Sequence, residues 1–90
     1  MLCDDSSVIR RLIKGALTTD PQLEVVYEAV NGQDAVDNVG SARPDVVILD
    51  VEMPVMDGIE AARTLRRRCR NLPIIMFSSL TSQGAEATMD

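Results

Sequence analysis

Residues 46–58 read VVILDVEMPVMDG, an unbroken apolar run followed by an aspartate and then a loop carrying a second acid, a proline and an Asp-Gly pair. Val46, Val47, Ile48 and Leu49 show no polar alternation, so they predict a strand covered on both faces, as at the centre of a parallel sheet. Asp50 then stands at the strand's C-terminal end, the edge at which open parallel sheets form ligand crevices. A carboxylate half removed from water is unfavourable there without a positive group beside it.

Working outward toward the C-terminus, Asp57-Gly58-Ile59-Glu60 has the form of a capping box, with Asp57 as N-cap and Glu60 three residues on. Ile59, Ala62, Leu65 and Cys69 are expected to face the core from the helix that follows. Asn71-Leu72-Pro73 ends that helix. Ile74-Ile75-Met76-Phe77 is a second continuous apolar strand, and it delivers Ser78 and Ser79 to its end. Thr81 or Ser82 opens a further helix that is unfinished at Asp90.

Toward the N-terminus, Arg43-Pro44-Asp45 leads into the central strand. Before it, Ala35, Val36 and Val39 recur at helical spacing, so Asn31-Gly32 reads as a turn into a short helix that Gly40 stops. Leu23 to Val30 reads as a strand whose Glu24 and Glu28 share one face, which fits a sheet edge. Val8, Ile9, Leu12, Ile13, Ala16 and Leu17 predict a first helix, with Arg10, Arg11 and Lys14 on the opposite, solvated face. Ser6 or Ser7 is its N-cap, and Thr18 to Pro21 breaks it. Met1-Leu2-Cys3 is a short apolar strand running into Asp4-Asp5. The order is β-α-β-α-β-α-β-α. It implies an α/β, doubly wound parallel sheet with right-handed crossovers and helices on both faces.

Ninety residues suffice for one domain, and few remain for layers on both sides of a sheet. The net charge of −5 is unevenly distributed: residues 63–70 (RTLRRRCR) hold five of the nine basic residues and no acid, leaving a balance of −10 elsewhere. Such a body repels nucleic acid everywhere except at that patch, and one Tyr, one Phe and no Trp give no platform for stacking bases. Arginines late in a helix are more simply read as partners of its negative C-terminal end. Cys3 and Cys69 lack metal-ligand spacing and histidine is absent, which argues against a zinc site or a disulfide framework. Cys69, among arginines, is a candidate reactive thiol, against the blander reading of an incidental residue near a helix end. No stretch has the length of a membrane span or a signal-peptide core, and the expected location is the cytoplasm.

Three strand ends thus carry acids or hydroxyls: Asp4 and Asp5, then Asp50, then Ser78 and Ser79. With the first strand beside the third, these groups converge, and clustered carboxylates in a crevice attract a hard divalent cation. Magnesium takes oxygen ligands from one or two carboxylates together with phosphate oxygens. A carboxylate beside it can act as a nucleophile toward phosphorus, and a hydroxyl such as that of Ser78 can donate to a phosphoryl oxygen. Taken singly, Asp4, Asp5 or Asp57 is read as well by helix capping; the joint placement favours chemistry.

DDS at 4–6, LDVEMPVMDG at 49–58 and IIMFSS at 74–79 together resemble the receiver domain of bacterial response regulators, over essentially the whole chain. VEMPVMDGIEA and MFSSLTSQGAEAT are similar to the N-terminal receiver of the chemotaxis protein-glutamate methylesterase subgroup. The resemblance implies a flavodoxin-like sheet of order 2-1-3-4. It also implies that Asp50 accepts a phosphoryl group, that Asp5 binds Mg2+ directly and Asp4 through water, and that the Glu52 backbone carbonyl is a further ligand. Ser78 matches the hydroxyl residue that bonds the phosphoryl oxygen and moves on activation. The donor would be a sensor histidine kinase, and the output a tethered methylesterase or another domain.

The family's fifth strand, with its lysine, and its fifth helix have no counterpart here, and Lys14 belongs to the exposed face of the first helix. Residues 1–90 are therefore expected to form a receiver domain incomplete at both ends, part of a longer polypeptide. Otherwise the apolar edge at Ile74 to Phe77 would be covered by swapping or dimerisation. Two other readings compete: an interaction domain that no longer takes phosphate, and a magnesium phosphohydrolase with Glu52 as acid/base. Retention of Asp4, Asp5, Asp50 and Ser78 disfavours the first, and the absence of a cap domain disfavours the second.

Overall fold

The computed structural model describes residues 1–78. Four parallel strands, β1 (Leu2–Cys3), β2 (Glu28–Ala29), β3 (Val47–Asp50) and β4 (Ile74–Phe77), form one sheet of order β2-β1-β3-β4. Helices α1 (Ser7–Leu17), α2 (Gly32–Ala42) and α3 (Gly58–Arg68) are the crossovers between successive strands. The expected doubly wound, flavodoxin-like arrangement is therefore present. Ser79 and the further helix expected from Thr81 or Ser82 lie outside the described residues.

Strand alternation sends Cys3, Ala29, Val47 and Leu49 to the face covered by α2 and α3, where all four are fully buried. Ala35, Val36 and Val39 of α2 and Ala61 and Leu65 of α3 close over them. The α3 stripe is Gly58, Ala61 and Leu65, flanked by half-buried Ala62 and Cys69. Ile59, expected in the core, is exposed because it lies about 100° round the helix from Gly58.

The opposite face is thinly covered. Leu2 is buried, whereas α1 has no buried residue, and Val8 and Leu12 are each 64% exposed. Ile75 on β4 is 55% exposed. Ile9, Ile13 and Leu17 are half-buried, so only part of α1's apolar stripe finds sheet to pack on.

Two boundaries differ from expectation for local reasons. The strand read over Leu23 to Val30 shortens to Glu28–Ala29, since β1 offers only Leu2 and Cys3 as register partners. Gly40 does not stop α2; the helix runs on to Ala42 and is closed by Arg43 in the left-handed region (φ 49), with Pro44 preventing continuation. Asp57 caps α3 as expected, Ser6 rather than Ser7 caps α1, and Asn31 in the turn caps α2. Ser6 Oγ accepts from Ile9 N, Asn31 Oδ1 from Asp34 N, and Asp57 Oδ1 from Glu60 N.

Candidate acidic phosphoacceptor site

β1 and β3 are hydrogen-bonded neighbours, with Leu2 opposite Ile48 and Cys3 opposite Leu49. Both strands consequently end at the same level of the sheet, where Asp4 and Asp50 emerge. Both residues are buried, at 0% and 1% exposure, while Asp5 one residue on is exposed. One carboxylate oxygen from each of Asp4, Asp5 and Asp50 lies within 4.8 Å of the others. That spacing of hard oxygen donors, two buried and one open to water, fits a divalent cation that keeps part of its hydration.

Local structure holds Asp4 and Asp50. Asp4 Oδ1 accepts from Ser6 N at 2.8 Å, a short turn that starts α1. Asp50 Oδ1 is 3.4 Å from the backbone nitrogen of Glu52, whose side chain is exposed. Behind Asp50 the chain is clamped: Val51 N donates to Phe77 O at 2.9 Å and Gly58 N to Val51 O at 2.8 Å. A β-carbon on Gly58 would overlap the Asp50 carbonyl, so glycine is required by close approach of two backbones rather than by a positive φ.

Asp50 pairs in register with Phe77, so β4 delivers exposed Ser78 to the edge that holds Asp50. Of the residues expected to form the site, Asp4, Asp5 and Asp50 thus converge as side chains, and Glu52 and Ser78 flank them along the chain. Cys3, directly beneath, is fully buried. Burial first, then the nearby Asp34, Asp4 and Asp50 carboxylates, push its thiol pKa up to about 12. Its Sγ donates to Asn31 O and rests 3.5 Å from Met53 Sδ.

One contributor escaped the sequence reading. Arg10, assigned there to the solvated face of α1, has a side chain only 15% exposed. Its Nη1 donates to the Asp4 carbonyl at 2.6 Å and its Nε stands 3.4 Å from Glu28 Oε1. Lys14 Nζ reaches the other oxygen of Glu28 at 3.2 Å from an exposed position, as its place on the helix implied. The arginines after Arg63 have different partners, and Arg66 serves the turn that follows α3. Arg66 donates to the carbonyls of Arg70 and Leu72, and Arg68 to that of Val36. Among the described residues no helix is long and apolar enough to cross a membrane.

The model of the response regulator receiver domain matches residues 1–89. The chain is 52% identical over its full length to a protein-glutamate methylesterase/protein-glutamine glutaminase of Nocardioides sp., covering 25% of that protein. It is 53% identical to the corresponding protein of Pseudoalteromonas atlantica, covering 24%. It therefore spans about a quarter of the length of these relatives. Among solved structures, the response regulator domain of Thermotoga maritima CheB superposes with a TM-score of 0.82 at 36% identity, over 98% of this chain and 65% of that one. A chain of the CheX-CheY-BeF3-Mg+2 complex from Borrelia burgdorferi gives 0.78 at 27% identity, over 98% and 67%. The family model's match to residues 1–89, with relatives 52% and 53% identical over the whole chain, means that the chain belongs to the response regulator receiver family.

Proposed function

We propose that this receiver is a phosphorylation-controlled switch of a chemotaxis pathway in which Asp50 is the phosphoacceptor. The observation that carries the proposal is the approach of the Asp4, Asp5 and Asp50 carboxylates to within 4.8 Å across two strand ends. Three negative groups so close, two of them out of water, are costly unless a cation offsets them. Bound Mg2+ would neutralise charge developing on the transferring phosphoryl group. Asp5 and Asp50 would hold it directly, with Asp4 through water and the Glu52 carbonyl as a further donor.

An oxygen of the Asp50 carboxylate attacks phosphorus on a sensor kinase's phosphohistidine. The new O–P bond forms as the N–P bond breaks, and the electron pair returns to the imidazole nitrogen. β3 and the backbone hydrogen bonds of Val51 and Gly58 hold the main chain at Asp50, which supports presentation of its carboxylate from a fixed position at the strand end. Ser78 donates its hydroxyl to a phosphoryl oxygen, and this new bond biases the end of β4 toward a second conformation.

The similarity to methylesterases makes a tethered methylesterase domain the favoured output. On this reading residues 1–90 are the receiver part of a longer cytoplasmic chain, and the exposed side of β4 is where further structure or a partner pairs. The test is localisation of the modification. Borohydride reduces an aspartyl phosphate to homoserine, and peptide mapping of the phosphorylated protein should find it at position 50. Reduction at Asp5, Asp57 or any other acid instead would overturn the assignment.

A further inference from the structure

We propose that Arg10 is a positioning residue for the metal site, setting the geometry of the acidic pair through the Asp4 carbonyl; this rests on the phosphoacceptor reading above. The carbonyl that Arg10 grips at 2.6 Å belongs to the peptide unit joining Asp4 to Asp5. That unit is planar, so holding its oxygen fixes the plane in which both α-carbons lie. Asp4 is meanwhile held from its side chain by Ser6 N, leaving Asp5 as the acid whose placement depends on the peptide plane.

The guanidinium is itself braced. Its Nε lies beside Glu28 Oε1, and Glu28 is held on its other oxygen by Lys14. Glu28 sits on β2, which pairs with β1 at Leu2. Arg10 therefore ties the metal-facing end of β1 to the neighbouring strand and to the first turns of α1. A charged donor to a carbonyl, 15% exposed, is a stronger and better directed tether than a neutral side chain would provide.

Charge and position predict opposite signs. A cation near an acidic cluster weakens the attraction of Mg2+, so losing the Arg10 charge alone would tighten metal binding. Losing the tether would weaken it, as mutations behind metal ligands do by roughly 10-fold or more. The experiment is titration calorimetry with Mg2+ on the unaltered chain and on Asp50→Asn, Arg10→Gln and Glu28→Gln, each checked for native circular dichroism and Tm. The expected result is binding by the unaltered chain, loss in Asp50→Asn, weakening of about 10-fold in Arg10→Gln, and a smaller loss in Glu28→Gln.

A merely structural Arg10 would lower Tm and leave the Mg2+ affinity of the folded protein unchanged. Unchanged or tighter binding by folded Arg10→Gln, with the unaltered chain and Asp50→Asn behaving as stated, would overturn the proposal and spare the phosphoacceptor reading. Should Arg10→Gln fail to fold, Glu28→Gln decides, and unchanged affinity there overturns the proposal. Absence of Mg2+ binding by the unaltered chain would overturn both.

Discussion

Gly58 lies against the backbone carbonyl of Asp50 so closely that no β-carbon fits between them. The first residue of α3 is thereby packed onto the end of β3, and the helix start becomes part of the wall behind the acid. Gly58→Ala has to push that wall away. The expected outcome is destabilisation of about 2–4 kcal/mol with loss of phosphoryl uptake, read by denaturant unfolding and intact mass. A variant that keeps both properties would mean that the two backbones separate freely.

Val55 has φ 70, a region that a β-branched residue occupies only under strain, and its side chain is 80% exposed. Nothing in its burial repays that strain. Val55→Asn, which tolerates the left-handed region, is expected to raise stability by about 1 kcal/mol, or roughly 4–8 °C in Tm for a domain of this size. A fall in Tm would show that the valine makes a contact worth more than the backbone relief.

The acidic cluster predicts a metal-dependent stability. Mg2+ at about 100 times its Kd should stabilise the folded chain by about 2.7 kcal/mol. Asp5→Asn is expected to remove most of that increment while leaving the metal-free protein as stable or more so, since one repelling charge is gone. Thermal unfolding with and without Mg2+ measures both. An undiminished increment in Asp5→Asn would exclude Asp5 as a ligand.

The two cysteines should separate chemically. Cys3 is buried with its thiol pKa at about 12, whereas Cys69 is half-buried near the end of α3. Alkylation of the native protein near pH 8 should therefore modify Cys69 alone, and both residues once the chain is unfolded. The sign of the pH effect follows: above about pH 9 the unfolded thiol loses its proton and the folded one keeps it. The unfolded state then binds fewer protons, so this group's contribution to stability declines from about pH 9 toward 12. In Cys3→Ser the decline should be smaller; an equal decline would assign it elsewhere.

The central strand was legible in the sequence because VVIL lacks alternation and a strand covered on both faces requires none. The cap at Asp57 was equally legible, since it depends on one side chain and three residues of local chain; the first helix left Ser6 and Ser7 open, and Asn31 was read as a turn without its capping role. Convergence of Asp4, Asp5 and Asp50 followed from placing β1 beside β3. What escaped was set by tertiary contact. Arg10 falls on the polar side of a helical pattern, and only β2 and the end of β1, brought together by the fold, turn that side into a partly buried one. Val8, Leu12 and Ile59 have the spacing of core residues yet stay exposed, because periodicity marks an apolar stripe without saying what covers it. The clash that demands Gly58 is invisible in a capping motif that tolerates other residues at that position.

The most direct measurement is the intact mass of the chain after incubation with Mg2+ and a small acyl-phosphate donor. We expect a gain of one phosphoryl group, absent when the metal is chelated and absent in Asp50→Asn. No gain with Mg2+ present, or an equal gain in Asp50→Asn, would contradict Asp50 as the phosphoacceptor.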